Sequence, residues 1–460
     1  MKKDYKVLIS LFLIPVYLLA VINLFWPPQL VSESENRALK QLPAFSIEKL
    51  FNGQYTLEFE SFFSDQFPFR QFFINAHSSG VDLLQSPFAG DIDVISRPDE
   101  DIGIGESLEN DPDDLIVKPS PTPTTAATTP AETTSSNGCE TTGTTTPETT
   151  TPTTTEPVAT VPDVEGKVEN ISSVIIVNGY AMELYYYNAD RAARYIGLVN
   201  RLQEKIPEAR IFDMVAPTSV EFNSPAKYHS NLSSQKNAIA DIYSKMSDPV
   251  ITVDAYGKMV QRYGEYLHFR TDHHWTARGA YYAYTAFCES AGLEAVPMES
   301  MTQGFVPGDF LGSLYKYTNS AKLKENPDQV EYFLPVVSSE GVAYSDATMT
   351  SGYKVSAVRT DIKSSNKYLV FIGGDHPLTH LKTALTNGRS VLVLKESYGN
   401  ALVPFLTNHY ENVYVIDPRS LECDLPAFIR EHNIQDILVL NYSFSVTSSG
   451  WNSGFEKMIG

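Results

Sequence analysis

Residues 391–400 read Val-Leu-Val-Leu-Lys-Glu-Ser-Tyr-Gly-Asn, an apolar strand that leads directly into a helix. The strand is predicted over residues 390–394 and the helix over 398–406, with a kink at Pro404. Ser397 lies between the two, where the backbone N–H groups of a helix N-terminus can stabilise an oxyanion. The alternative role for this serine is that of an ordinary helix cap.

Strands and helices alternate on both sides of this stretch, which predicts an α/β fold with a mostly parallel sheet and flanking helices. Residues 297–365 are rich in tyrosine and are predicted to be an irregular insertion over the site. Sites in parallel sheets gather at the carboxyl ends of the strands. The other predicted strands are 174–177, 211–217, 250–254, 368–372, 413–416 and 437–440, and the other helices are 190–205, 233–246, 277–291 and 425–432.

The run Thr-Asp-His-His-Trp-Thr over residues 271–276 places a carboxylate two residues before an imidazole. Thr276 is the predicted N-cap of the helix that follows. If Asp272 fixes the tautomer of His274, the ring presents one nitrogen outward as a general base. Together with the hydroxyl of Ser397, these residues form a candidate catalytic triad of acid, base and nucleophile.

An Asp-His-His cluster is also compatible with a metal site. The spacing is not that of a zinc-binding helix, and no cysteine lies close by. The sequence therefore predicts neither a metal nor another cofactor.

The N-terminus predicts the compartment. Three lysines among the first six residues precede an apolar run over residues 7–26, which has the length of a bilayer-spanning helix. A cleaved signal peptide is the alternative, but no cleavage site with small residues follows. We predict a cytoplasmic tail and signal anchor over residues 1–30, with the rest of the chain on the outer face of the membrane.

Residues 31–100 form an aromatic-rich juxtamembrane segment with a helix predicted over residues 57–64. This helix either packs on the main domain or docks on a membrane partner. Residues 101–165 are first acidic and then dominated by Thr and Pro, a composition that predicts a disordered linker. That linker is either a spacer through the cell wall or an inert insertion. The candidate catalytic domain covers residues 166–460.

The 460 residues carry a formal net charge of −20, so the chain lacks the basic surface that nucleic-acid binding requires. A hydrophobic content of 42% is enough for a sizeable core. Three cysteines do not form a disulfide framework.

The Asp-His-His-Trp run and the segment around Ser397 resemble the motifs of the DHHW proteins of Gram-positive bacteria. These proteins are relatives of the alginate O-acetylation proteins, whose domain is SGNH-hydrolase-like and circularly permuted. The resemblance implies a triad of Asp272, His274 and Ser397. One departure is Glu396, where that family more usually has Asp. Further segments that share the resemblance are residues 34–37 (Ser-Glu-Asn-Arg), 65–70, 312–315 and 373–377.

Other candidate residues surround the predicted triad. By analogy with SGNH enzymes, Asn441 is an oxyanion donor or else a turn-capping amide. Arg419 binds a substrate oxygen or pairs with Asp417, and His273 holds its loop or touches substrate. The backbone at Gly374 can approach the site closely. Asp375 is expected to turn away from the site or to pair with His376. Tyr315 and Tyr317 are expected to stack on sugar rings, and Trp275 is expected to be buried under the helix.

The expected function is that of a membrane-anchored O-acetyltransferase or acetylesterase of a cell-surface polysaccharide. The resemblance also implies a multipass membrane O-acyltransferase that supplies the acetyl group. The rival interpretation is a non-catalytic protein that binds glycans or scaffolds the acetylation machinery.

Overall fold

The computed structural model describes residues 173–460 without a gap, together with 161, 163–171 and scattered positions between 31 and 67. The predicted anchor over residues 1–30 and nearly all of the predicted linker lie outside the described residues. Among the residues that are described, no helix has both the length and the apolar character needed to cross a bilayer. Of the helix predicted over residues 57–64, the described residues Phe59, Phe62 and Phe63 are helical.

The fold is built on an eight-stranded sheet, which smaller antiparallel sheets accompany. The strands are β1 (Val31–Ser32), β2 (Arg37–Ala38), β3 (Glu169–Ile171), β4 (Val174–Val177), β5 (Tyr180–Glu183), β6 (Arg210–Ala216), β7 (Ile251–Thr252), β8 (Thr302–Phe305), β9 (Glu331–Leu334), β10 (Ser339–Tyr344), β11 (Gly352–Val355), β12 (Leu378–Thr383), β13 (Ser390–Lys395), β14 (Asn412–Ile416) and β15 (Asp436–Tyr442). The order in the large sheet is β11-β10-β12-β14-β13-β15-β6-β7. The smaller sheets are the pairs β1–β2 and β8–β9 and the three-stranded sheet β3-β4-β5.

The large sheet is mixed, with a parallel part and an antiparallel part. Strands β14, β13, β15, β6 and β7 pair in parallel, whereas β11, β10 and β12 join the β14 edge in antiparallel fashion. The antiparallel strands β10 and β11 come from residues 297–365, so the prediction of an irregular insertion there was wrong for that part. Strand β4 was predicted correctly, but it belongs to the small sheet.

Helices cover both faces of the large sheet, as the alternation of strand and helix predicted. They are α1 (Ala189–Lys205), α2 (Ser219–Asn223), α3 (Gln235–Tyr243), α4 (Ala255–Val260), α5 (Ala277–Ala291), α6 (Ser313–Thr318), α7 (Ala321–Lys324), α8 (Val403–Leu406), α9 (Leu425–Glu431) and α10 (Ser449–Ile459).

Alternating side chains of the central strands enter two separate cores. On β15, Leu438 and Leu440 pack with α5, whereas Ile437 and Val439 pack with α1 and α10. This alternation follows from the period of two along a strand. The face that packs with α5 is therefore the one next to the Asp-His-His-Trp run, which directly precedes that helix.

The prediction of a strand over residues 368–372 was wrong. Residues Lys367–Val370 form a 3₁₀ turn, because the Asn366 side chain accepts a hydrogen bond from the backbone N–H of Tyr368 and caps it. Residues Ile372, Gly373 and Gly374 then have positive φ angles of 50°, 80° and 106°, which no strand tolerates.

Candidate active site

The side chains of Asp272, His274 and Ser397 form a continuous hydrogen-bonded series. Asp272 Oδ1 lies 2.6 Å from Nδ1 of His274, and Nε2 of His274 lies 2.7 Å from Oγ of Ser397. All three residues are buried and line one cleft, just beyond the carboxyl end of the central strand β13. A carboxylate that accepts from Nδ1–H leaves Nε2 with its lone pair toward the hydroxyl, the arrangement that activates a serine.

The His274 ring is held between two other rings. It stacks on Tyr368 with centroids 3.9 Å apart and an interplanar angle of 14°, and it contacts His273 on its other side at 3.8 Å. Tyr368 in turn donates a hydrogen bond from its hydroxyl to the backbone carbonyl of Ser397. The ring is therefore fixed in orientation as well as in tautomer.

The loop that carries His274 closes on itself before helix α5 begins. His268 and Trp275 form an isolated antiparallel bridge, and Thr276 caps α5 by accepting from the N–H of Gly279. A Cβ atom at Gly279 would lie 2.4 Å from the Leu267 carbonyl oxygen, so only glycine lets the loop and helix approach this closely. Trp275 is fully buried, as predicted.

Ser397 does not cap the short 3₁₀ helix Ser397–Ala401; Glu396 does. Its Oε2 accepts from the backbone N–H of Tyr398 at 2.9 Å, and its Oε1 accepts from that of Tyr442 at 3.1 Å. The longer glutamate thus ties the end of β13 to the end of β15. Burial raises the pKa of Glu396 to about 7, opposed chiefly by the Tyr398 hydrogen bond.

The Asp272 carboxylate is oriented by donors on two sides. Oδ1 accepts from the backbone N–H of His274 at 3.0 Å, and Oδ2 accepts from that of Ser313, at the start of α6, at 2.8 Å. Burial alone would raise the pKa of Asp272, but the His274 ring, its hydrogen bond and His273 together hold that pKa far below its usual value. The carboxylate is therefore ionised at neutral pH.

His273 faces the same cleft but makes a different contact. Its Nδ1 lies 2.7 Å from the hydroxyl oxygen of Ser313, while its Nε2 is buried with no partner among the described residues. Burial, and then the neighbouring His274, lower the pKa of His273 to about 4, opposed by Asp272. The ring is neutral at neutral pH.

Asp375 was expected to turn away or to pair with His376, and that prediction was wrong. Its carboxylate lines the cleft and contacts the Lys395 ammonium, which is fully buried. Oδ2 accepts from Arg419 at 3.1 Å, and Oδ1 accepts from the Asn400 amide at 3.0 Å. The positive φ angles before Asp375 allow the chain to turn back toward Ser397.

Asn441 is not brought to the cleft. It follows Ile437 and Val439 at even spacing along β15, so its side chain lies on the α1 face, opposite the triad. Its side-chain polar atoms are buried, and they lie beside the Tyr195 side chain of helix α1. The position of a residue along a strand was predictable, but the side of the sheet depended on register.

Arg419 and Tyr315 also lie outside the lining of the cleft. Arg419 Nη2 contacts Asp417 at 2.7 Å as well as Asp375, so its interactions are with carboxylates of the protein. Tyr315 packs against the small cluster around Leu314 on the β4–β5 side. The neighbouring Lys316 lines the cleft instead.

Gly374, in contrast, does line the cleft, and its N–H donates to the carbonyl oxygen of Phe371 at 3.2 Å.

Asp272, His273 and His274 place potential metal-ligand atoms within 4.8 Å of one another. Both nitrogens of His274 are, however, hydrogen-bonded within the triad, and Nδ1 of His273 contacts Ser313. Binding of a cation by all three would therefore require the triad hydrogen bonds to break.

Sequence reasoning missed several residues that line the cleft, among them Asn400 and Tyr368, which are in direct contact with other residues of the site. The signal for Asn400 was available, because it follows Ser397 by three residues and a 3₁₀ helix brings such residues to one face. Tyr368 had no such signal, since it lies in the 3₁₀ turn Lys367–Val370, which is far from Ser397 in sequence.

Two solved structures share this architecture. A DHHW family protein from Eubacterium siraeum is 29% identical over 64% of this chain and 98% of its own, with a TM-score of 0.58. PatB1 from Bacillus cereus, in a structure with a sulfonyl adduct, is 17% identical over 64% of this chain and 99% of its own, with a TM-score of 0.51. The O-acetyltransferase domain of Pseudomonas putida AlgJ is more distant, with 12% identity over 62% of this chain and 96% of its own and a TM-score of 0.34.

No curated protein matches the chain. The sequence profile of the DHHW protein family, in contrast, matches residues 35–416, which is most of the chain and includes both the Asp-His-His-Trp loop and Ser397. The chain belongs to the DHHW protein family.

Proposed function

We propose that this protein transfers acetyl groups to or from the hydroxyls of a cell-surface polysaccharide, with Ser397 as the nucleophile. The observation that carries the proposal is the hydrogen-bonded series Asp272–His274–Ser397, with contacts of 2.6 and 2.7 Å. A serine hydroxyl is a weak nucleophile unless an adjacent base takes its proton. Here such a base is in contact and is itself oriented by a buried carboxylate.

In the proposed reaction His274 Nε2 accepts the Ser397 proton while Oγ attacks the acetyl carbonyl carbon. The tetrahedral intermediate collapses, the C–O bond to the donor breaks, and His274 returns the proton to the leaving oxygen. The acetyl-enzyme is then attacked by a sugar hydroxyl, or by water, which His274 deprotonates. Collapse of this second intermediate breaks the bond from the acetyl carbon to Ser397 Oγ, and His274 returns the proton to the serine. Asp272 stabilises the imidazolium that forms in each half of the cycle.

The comparisons support the proposal indirectly. The structure of PatB1 has a sulfonyl adduct, and sulfonylation is a reaction of activated nucleophiles. Because identity with PatB1 is 17%, that similarity concerns the fold, and the chemistry is argued from the contacts of Ser397 itself. The choice of a polysaccharide rests on the sequence resemblance to the DHHW proteins, which are relatives of the alginate O-acetylation proteins.

Location and partners form part of the same proposal. A membrane anchor within residues 1–30 would hold the domain on the outer face, where a multipass O-acyltransferase could deliver the acetyl group. Support comes from the apolar run over residues 7–26 and the lysines before it. Retention of the full chain in the membrane fraction, and its release when residues 1–30 are deleted, would test the anchor.

The catalytic proposal is tested with p-nitrophenyl acetate as donor and a defined oligosaccharide as acceptor. The wild type should release p-nitrophenol and add acetyl to the sugar, as measured by mass spectrometry, and Ser397→Ala and His274→Ala should do neither above background. Acetylated sugar distinguishes a transferase from an esterase. Equal background rates in all three proteins would favour the rival role of a non-catalytic glycan binder or scaffold.

A further inference from the structure

Acyl transfer at Ser397 needs hydrogen-bond donors for the negative oxygen that forms in the intermediate. The backbone N–H of Ser397 is one candidate, because no acceptor among the described residues engages it. Two donors considered from the sequence are not available: Asn441 lies on the opposite face, and the N–H of Gly374 is bonded to Phe371. A second donor must therefore come from another group that lines the cleft.

We propose that the Asn400 side-chain amide is this second donor and that Asp375 is its positioning residue. The inference rests on the proposed acyl transfer and names a further residue that contacts the reacting atoms. Asn400 and Ser397 are three residues apart in the 3₁₀ helix Ser397–Ala401. With three residues per turn, their side chains project from the same face. Both are 2% exposed, and both line the cleft.

The contact with Asp375 fixes the orientation of the Asn400 side-chain amide. Nδ2 of Asn400 donates to Asp375 Oδ1 at 3.0 Å, and a carboxylate can only accept, so the nitrogen and not the oxygen must point there. An amide nitrogen has two N–H groups, and no second acceptor for it is found among the described residues. The amide oxygen, Oδ1, is buried without a partner in the same described part of the chain.

Asp375 is itself held in place by two cations. The fully buried ammonium of Lys395 contacts Oδ1, and Arg419 contacts Oδ2 at 3.1 Å while also bonding Asp417. Lys395 ends strand β13 two residues before Ser397. Buried ion pairs add little net stability on average. In this position their consequence is geometric: they fix the orientation of Asn400 relative to Ser397.

The test compares Asn400→Leu, Asn400→Ser and the control Asn408→Leu on the full chain. Asn408 is also a buried asparagine, but its amide oxygen accepts from the backbone N–H of Val336, away from the cleft. With p-nitrophenyl acetate, Asn400→Leu should lower the Ser397-dependent kcat about 100- to 1000-fold with little change in KM. Asn400→Ser, which keeps a donor, should recover part of the rate. Asn408→Leu should have the kcat of the wild type when kcat is calculated for the amount of folded protein.

A double-mutant cycle tests the role of Asp375. If Asp375 acts through Asn400, Asp375→Asn should lower kcat alone but add nothing to Asn400→Leu, whereas independent roles would multiply the two losses. A Ser397-dependent rate in Asn400→Leu equal to that of the wild type would overturn this inference and leave the proposed function intact. Equal losses in Asn400→Leu and Asn408→Leu would also overturn it. Absence of any Ser397-dependent rate in the wild type would instead refute the proposed function on which it rests.

Discussion

His274 Nε2 and Ser397 Oγ lie 2.7 Å apart although 123 residues separate them in the chain. Their meeting depends on two further contacts between the same segments. The indole N–H of Trp275 donates to the Tyr398 carbonyl at 2.8 Å, and the Tyr398 hydroxyl donates to the His273 carbonyl at 2.8 Å. The residues next to the base and the nucleophile thus bind one another, which fixes the approach of the two loops.

Replacement of Asp272 by Asn should disable the base without unfolding the protein. An amide of the same shape cannot hold His274 in the tautomer that leaves Nε2 free, and this change in other triads lowers kcat by about 10⁴-fold. We expect a loss of that order with p-nitrophenyl acetate and a thermal midpoint near that of the wild type. A variant that keeps more than a tenth of the wild-type kcat would contradict the role of Asp272.

Gly312 should be required for the position of Asp272. A Cβ atom there would lie 2.3 Å from Cβ and 2.4 Å from Oδ2 of Asp272, so Gly312→Ala must displace the carboxylate or helix α6. Because misplacement by about 1 Å can cost about 100-fold in rate, we expect kcat to fall by that order. The free energy of unfolding should fall by about 1–3 kcal/mol, measured by urea denaturation.

The matched control for that variant is Gly197→Ala. Gly197 lies within helix α1, and a Cβ there would have no neighbour within 4 Å. Alanine should raise the free energy of unfolding by about 0.5–1 kcal/mol and leave kcat unchanged. If both alanine variants retained the wild-type kcat, the close packing of Gly312 on Asp272 would have no catalytic consequence.

The buried carboxylate of Asp213 should make stability depend on pH. Its Oδ1 accepts from the Tyr195 hydroxyl, its Oδ2 has no partner among the described residues, and burial raises its pKa to about 7. An unfolded Asp has a pKa of about 3.9. Between these values the folded protein keeps a proton that the unfolded chain has lost, so the free energy of unfolding falls as pH rises, by up to about 1.4 kcal/mol per pH unit.

Asp213→Asn should remove this dependence. The free energy of unfolding of the variant, relative to that of the wild type, should increase as pH rises from about 4 to about 7 and stay constant above. Glu221 and Glu396, whose pKa values burial also raises to about 7, titrate in both proteins and cancel in the comparison. The free energy of unfolding is measured by urea denaturation of both proteins at pH 5 and pH 8. The same difference between variant and wild type at both pH values would contradict the predicted titration.

Much of the site was predictable because its signals are local. The spacing of Asp272 and His274 and the strand-to-helix junction at Ser397 are each contained in a few residues, and the structure brings all three together. Helix α5 begins at Ala277 after Thr276 because the cap signal is also local. Strands β13, β14 and β15 were found from their apolar runs.

The errors involve contacts that span the chain. The run Tyr-Leu-Val-Phe-Ile over residues 368–372 has the composition of a strand, yet the Asn366 cap and the positive φ of Ile372 make it a turn. Asn441 was placed correctly at a strand end, but its face depends on the register of β15 with β6. The pairing of Asp375 with Lys395 and Arg419 joins three segments, and no local pattern announces it.

Covalent labelling with phenylmethanesulfonyl fluoride, read by peptide mass spectrometry, tests the central claim most directly because it requires no knowledge of the natural substrate. A sulfonyl fluoride reacts with a serine whose proton an adjacent base can take. We predict a single sulfonyl group on Ser397 in the wild type, its absence in Ser397→Ala, and much slower labelling in His274→Ala. No label on Ser397, or labelling at the same rate in wild type and His274→Ala, would contradict the account.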